Sequence, residues 1–381
     1  MIQKSRLGVL LAACVIALVC AVMLSGCGKS TGLKVAFLGP LSGDAASFGT
    51  SQKNGIEVAL QEVNAAGGIN GTPVSVVYED TQLDQNKAIA AFNKVVDSDG
   101  AKVVLGDSSS ANTMAIGPLA KRKDVLLLSP IASSASLTKS GFPIFRVSPS
   151  DAFQARIASR YAINQGWKTA AIIYTNDEWG TGLKEEFSSN FAALGGKVID
   201  ASGIEPKSQD FRPQLTRLKS QQVEFVYIPL HPDEAVVALK QARQLGLKTQ
   251  FVGADSFSEP TIAKAAGQAA DGVIYTVPAA GYGTAYSDFA KSYKTKFGEE
   301  PNYNAAAGYD SLRIIVEAAK KAGSFDRSAL AKALSEQSAF EGASGTIVFD
   351  KNGDVVSKAF DIKKLQNGKP TTIKAKIEVS K

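Results

Sequence analysis

The chemically most pointed residues of this chain are hydroxyls and a carboxylate set at the ends of apolar runs. The β-branched run 103–105 leads into Gly106-Asp107-Ser108-Ser109-Ser110-Ala111-Asn112, and the run 125–128 leads into Ser129-Pro130-Ile131-Ala132-Ser133-Ser134. A serine run that opens a helix is an N-cap. The same convergence of N–H and O–H groups at the positive end of a helix also suits an anion. Two such loops at neighbouring strand ends predict one carboxylate held from both sides, by Ser110 and Ser133. Asp255 lies just past the strand 249–253 and is placed to answer an ammonium across a cleft. His231, the only histidine, ends another run and would face the same crevice. Each has a plainer use as well: capping for the serines, solvation for the aspartate, a structural hydrogen bond for the histidine.

Composition narrows the chemistry. One histidine and three cysteines, Cys14, Cys20 and Cys27, remove most zinc sites and most thiol or imidazole mechanisms. Ser136-Leu137-Thr138-Lys139 matches a Ser-x-x-Lys pattern, but its companion elements are missing. Gly28-Lys29-Ser30 is no phosphate loop, because Met23 stands where that spacing needs glycine. No catalytic constellation, metal cluster or cofactor motif is expected. The net charge of +6 is spread along the chain, with no basic run for nucleic acid. At 381 residues the chain has length for about two domains.

What must position these groups is an alternation of strands and helices. The run 33–38 ends at Gly39-Pro40. Ile56, Ala59, Leu60 and Val63 then mark one helical face, stopped by Gly67-Gly68. Strand 74–78, a helix through Ala88, Phe92 and Val95, and strands 103–105 and 125–128 complete a first pass. The order begins again with strand 170–174, helix 181–194, Gly195-Gly196, strand 197–201, a helix around Leu215 and Leu218, and strand 225–228. Phe48-Gly49 answers Trp179-Gly180. The expectation is an α/β fold of two similar, doubly wound parallel-sheet lobes. Ligands of such sheets bind beyond the strand C-termini. Phe48 and Trp179 are therefore expected in equivalent loops, as opposing walls of a shared cleft.

Residues 1–26 read as a signal peptide. Lys4 and Arg6 precede an uncharged run to Leu24, then Ser25-Gly26-Cys27. The run approaches membrane-spanning length, but small residues before Cys27 favour cleavage over an anchor. The sequence Leu24-Ser25-Gly26-Cys27 resembles the lipobox of bacterial lipoproteins. That implies lipidation at Cys27, a tether over 27–32, and an extracytoplasmic body anchored to a bacterial membrane.

Four stretches carry a wider resemblance: Val35-Ala36-Phe37-Leu38-Gly39-Pro40-Leu41-Ser42-Gly43, Asn64-Ala65-Ala66-Gly67-Gly68-Ile69-Asn70-Gly71, Phe145-Arg146-Val147-Ser148-Pro149-Ser150-Asp151, and Gln241-Ala242-Arg243-Gln244-Leu245-Gly246-Leu247. With them the chain resembles the type 1 periplasmic substrate-binding proteins of ABC transporters, most closely the branched-chain amino-acid-binding (Leu/Ile/Val) proteins. The resemblance implies a non-enzymatic receptor that closes on an amino acid and delivers it to permease subunits. It puts carboxylate and ammonium contacts on Ser110, the Ile131 backbone and Ser133, the ammonium-binding acid on Asp255, and the cleft aromatics on Phe48 and Trp179. Three departures stand out. Asp255 replaces the family's Glu, His231 its Tyr, and Ser133 its Thr, so side-chain preference does not carry over. The resemblance also implies hinge crossings near Ser150, Pro278 and Phe360. Lobe one would then be 33–150 plus 279–360, and lobe two 151–278 plus 361–381. A ligand sensor, or a receptor for a non-amino-acid carboxylate or amide, are the alternatives.

Overall fold

The computed structural model describes residues 32–43 and 45–380; the signal and Cys27 lie outside them. Five strands build a first sheet: β1 (Lys34–Gly39), β2 (Ser75–Asp80), β3 (Val103–Leu105), β4 (Leu126–Ser129) and β5 (Phe145–Arg146), in the order β2-β1-β3-β4-β5. All four ladders are parallel. Helices cover both faces. The inner strands are therefore buried on both sides and read as unbroken apolar runs, not as alternation.

The second sheet has seven strands. They are β6 (Thr169–Thr175), β7 (Lys197–Ile204), β8 (Phe225–Ile228), β9 (Gln250–Gly253), β10 (Ile274–Pro278), β13 (Ser357–Gln366) and β14 (Lys369–Ser380). Their order is β14-β13-β10-β9-β8-β6-β7. Here β13 runs antiparallel to β10 and to β14, and the other ladders are parallel. A small hairpin, β11 (Phe340–Gly342) and β12 (Gly345–Ile347), stands apart. The return to the second sheet begins at Ser357, three residues before the expected crossing at Phe360. Pro278 already pairs with Phe360 in the antiparallel ladder, so the chain must have entered the sheet by then.

Three more helices follow the second sheet's β10: Gly283–Phe297, Tyr303–Ala322 and Arg327–Ser335. The second of these lies along Ala46–Ala65. Two glycines allow the close approach. A Cβ on Gly55 would sit 1.9 Å from the Ala305 carbonyl oxygen, and one on Gly308 2.4 Å from that of Gln52. Tyr303 to Leu312 are buried all round, and farther on Arg313, Glu317, Lys320 and Lys321 mark the one face left to solvent.

Buried charges brace the loops between the sheets. Asp310 accepts from Ala343 N at 2.8 Å, Ser344 N at 2.7 Å and Ser344 Oγ at 2.6 Å. Lys358 Nζ donates to Ser344 Oγ at 3.3 Å. Burial pulls the Lys358 ammonium down to about 8, with Asp310 opposing. Arg146, wholly buried, binds Asp354 Oδ1 through Nε at 2.9 Å and the Ser134 carbonyl through Nη1 at 2.8 Å.

Candidate functional site

Each sheet is wound outward from an interior strand, β1 flanked by β2 and β3, and β6 flanked by β7 and β8. The connections leave in opposite directions there, which opens a crevice beyond the strand C-termini. Phe48 follows β1, Ser110 follows β3, and Ile131 and Ser133 follow β4. Trp179 follows β6, His231 follows β8 and Asp255 follows β9. All seven line one cavity of about 30 Å³, together with Leu83, Ser108, Ser109, Ser256 and Asn304. That is room for about two or three waters at roughly 10–15 Å³ each. A chamber of about 400 Å³ adjoins it, sharing Leu83, Ser109 and His231.

The cavity is small because the two halves meet over it. Ala45 N donates to Asp233 Oδ2 at 2.9 Å, and the Ser136 hydroxyl donates to Glu178. Glu259, itself buried, accepts from Asn304 Nδ2 at 2.5 Å and Asn302 Nδ2 at 3.1 Å. Burial raises the Glu259 carboxyl to about 7, against the pull of those amides.

Phe48 and Trp179 lie in the first turns of Ala46–Ala65 and Glu178–Ala193, not in loops as expected. The reason is the glycine after each. A Cβ on Gly49 would fall 1.9 Å from the Pro40 carbonyl oxygen, and one on Gly180 2.1 Å from that of Thr175. Each helix therefore starts hard against the end of the preceding strand and aims its aromatic residue into the crevice. This is the same device used twice.

The hydroxyl loops are tied together. Ser109 caps Ser110–Arg122, accepting from Asn112 N at 3.4 Å. Ser110 Oγ accepts from Ser134 N at 3.2 Å, which leaves its own O–H to donate elsewhere. The Ser133 carbonyl accepts from Asp151 N at 2.8 Å.

His231 is committed to a neighbour that sequence reasoning missed. Its Nε2 lies 2.8 Å from Asp177 Oδ2. Its ring stacks on Trp179 with centroids 5.1 Å apart and meets Phe48 edge-on at 6.3 Å. Burial works to lower its pKa, but the Asp177 charge and hydrogen bond push it up to about 9. The residue is therefore an imidazolium at neutral pH, part of the wall and no general base. Burial alone would raise Asp177, but His231 and the Gly180 and Trp179 backbone N–H groups hold it below the usual carboxylate range.

At the opposite end Asp255 is raised to about 6 by burial, against Gln154, backbone N–H groups and His231. Gln154 Nε2 donates to its Oδ1 at 3.4 Å. The arrangement offers hydroxyl and N–H donors on one side, an acid on the other, and aromatic walls between. No cluster of side chains that could hold a metal occurs among the described residues. Asp177 had a signal, its place two residues before Trp179 at a helix start. Asn304 had none, since its end of the helix is buried on every side.

Known proteins share this fold along most of the chain. A family model described as "Periplasmic binding protein" matches residues 32–369. A leucine-, isoleucine-, valine-, threonine- and alanine-binding protein of Pseudomonas aeruginosa is 30% identical over 332 residues, 86% of this chain and 88% of that one. The crystal structure of a leucine-binding protein from Thermotoga maritima superposes with TM-score 0.85 at 28% identity, covering 91% of this chain and 99% of that one. A branched-chain amino-acid transporter substrate-binding protein of Streptococcus pneumoniae, solved with isoleucine, gives 0.82 at 27% identity, covering 90% and 100%. With two doubly wound sheets facing one crevice and relatives of this kind along nearly its whole length, the chain belongs to the type 1 periplasmic substrate-binding proteins of ABC transporters, in the branched-chain amino-acid-binding family, and is a binder rather than an enzyme.

Proposed function

We propose that this substrate-binding protein captures an L-α-amino acid, branched-chain or otherwise hydrophobic, between its lobes and hands it to an ABC permease. The observation that carries the reading is the convergence on one cavity of hydroxyls from one half and Asp255 from the other, between Phe48 and Trp179. In this reading Ser110 and Ser133 hold the ligand carboxylate, the Ile131 backbone adds a contact to the carboxylate–ammonium end, and Asp255 holds the ammonium. Phe48, Trp179 and the His231 ring enclose the side chain. The lobes are 33–150 plus 279–360 and 151–278 plus 361–381, with the last boundary drawn back to Ser357. Cleavage after residue 26 and a lipid on Cys27 would hold the body at a bacterial membrane, facing outward.

Calorimetric titration of the protein, freed of carried-over ligand, tests this. L-amino acids are titrated first, then aliphatic and aromatic carboxylates without an amine. Binding near micromolar, roughly −8 kcal/mol, for L-amino acids alone is the expected result. Equal or tighter binding of amine-free carboxylates would keep the cleft and overturn the amino-acid assignment. Asp255→Ala should weaken amino-acid binding by about 3–5 kcal/mol, because a buried ammonium loses its counter-charge.

A further inference from the structure

We propose that Glu259 is a positioning residue of the cleft: from the half built on the second sheet it fastens Asn304, in the cavity wall of the other half, when the protein closes on its ligand. The proposal rests on reading the cleft as an amino-acid site. Asp255–Ser258 forms a short turn after β9, and Glu259 follows it directly. One turn thus carries Asp255 on the cavity wall and, four residues on, an acid that reaches the other half. Pro260 opens the next helix, Pro260–Ala266, and keeps Glu259 extended, at φ −71° and ψ 120°. The carboxylate meets the start of Tyr303–Ala322. Its Oε1 accepts from Asn304 Nδ2 at 2.5 Å and from Asn302 Nδ2 at 3.1 Å.

Both asparagines are fixed to the first half. Their helix is seated on Ala46–Ala65, which follows β1, through the close approach at Gly55 and Gly308. Asn302 Oδ1 also accepts from Ala305 N at 2.9 Å, and its Nδ2 donates to Ser51 Oγ at 3.1 Å. Asn304 is 4% exposed and lines the ligand cavity together with Asp255. A side-chain amide has a donor end and an acceptor end. Drawing Nδ2 to Glu259 therefore fixes which atoms of Asn304 are left for a ligand. Glu259 is itself 1% exposed, and a buried carboxylate is costly unless donors meet it. The two amides meet it only while the halves are together; apart, water takes their place. Thr261 Oγ1 donates to Ser47 Oγ at 3.4 Å beside it, a second and weaker contact between the halves. These are contacts of the closed state, the kind that hold a hinge shut. Because Asp255 and Glu259 share one turn, engaging the ligand and fastening Asn304 are one movement.

The test is stopped-flow kinetics with L-leucine and L-alanine as probes, followed by tryptophan emission, since Trp179 stands in the cavity wall. In Glu259→Ala the dissociation rate should rise about tenfold to a hundredfold, the worth of hydrogen bonds to a charged group. The association rate should stay within about threefold, as is usual when a closed-state contact is lost. Glu259→Gln keeps an acceptor and should stay within about threefold of wild type in both rates. In an Asn304→Ala background the effect of Glu259→Ala should fall to less than half on a logarithmic scale, because the two residues act through one contact. The melting temperature of the ligand-free protein should move by less than about 2 °C in Glu259→Ala, which a residue serving only the fold would not allow. An unchanged dissociation rate in Glu259→Ala, an equal rise in Glu259→Gln, additive effects with Asn304→Ala, or a larger fall in ligand-free melting temperature would each overturn the proposal and leave the amino-acid reading standing. No binding of either amino acid by the wild type removes the reading beneath it and the proposal with it.

Discussion

Arg146→Met separates the role of a buried ion pair from that of the loop it holds. The guanidinium is fully buried and reaches Asp354 Oδ1 at 2.9 Å, the Ser134 carbonyl at 2.8 Å and Thr138 Oγ1 at 2.9 Å. Methionine keeps the apolar stem and removes every donor. Asp354, 2% exposed, then loses the guanidinium and keeps the Thr138 hydroxyl as a donor at 2.7 Å, and one-sided loss of a buried pair costs about 3–5 kcal/mol. The Ser134 carbonyl loses its donor as well, worth about 1–3 kcal/mol if water does not replace it. Against a typical stability of roughly 5–15 kcal/mol this is a large fraction. Combining Arg146→Met with Asp354→Leu removes both charges, and the pair variant should regain at least half of the loss, as paired replacements often do. Urea unfolding followed by far-UV circular dichroism reads both values. Because Ser134 N also binds Ser110 Oγ, loosening this loop should weaken ligand binding in the single variant more than in the double. A single variant within about 1 kcal/mol of wild type would refute the argument, since no buried pair broken on one side is that cheap. A double variant no more stable than the single would refute it too.

Two further outcomes follow from the walls of the cavity. In Gly180→Ala the new Cβ would lie 2.1 Å from the Thr175 carbonyl oxygen, where C···O contacts are normally about 3.3 Å. The helix start must shift, costing about 1–3 kcal/mol and moving Trp179; an unchanged melting temperature and tryptophan emission would contradict this. His231 is the sole histidine, so its ring proton signals are unambiguous, and they should titrate at about 9, falling towards 6.5 in Asp177→Asn. A histidine whose folded pKa is raised contributes stability that is full below the unfolded value and disappears as pH rises through the folded one. The wild type should therefore lead Asp177→Asn most below about pH 6.5, with the lead fading through about pH 9. A lead that grows with pH would reverse the assigned direction.

The sequence by itself determined the winding of this protein. Strands buried on both faces read as continuous apolar runs at 33–38, 103–105 and 125–128, and local turn chemistry marked where each strand and helix stopped. Because a doubly wound sheet binds at its strand C-termini, topology alone narrowed the search to a few loops, and the seven expected residues meet at one cavity. Their roles as contacts stand as proposals. What only the tertiary structure decided depends on long-range proximity. Tyr303–Ala322 is buried on every side from Tyr303 to Leu312, so nothing local marked Asn304 until the helix packed against Ala46–Ala65. Asp177 became the partner of His231 only when β6 and β8 came to lie side by side. Asp151 opens the helix Asp151–Asn164. Burial first, and the charge of Asp255 from 104 residues away in sequence second, hold its carboxyl well above the carboxylate range. Local pattern is set by each residue's own preferences, whereas charge state is set by whatever the fold removes from water.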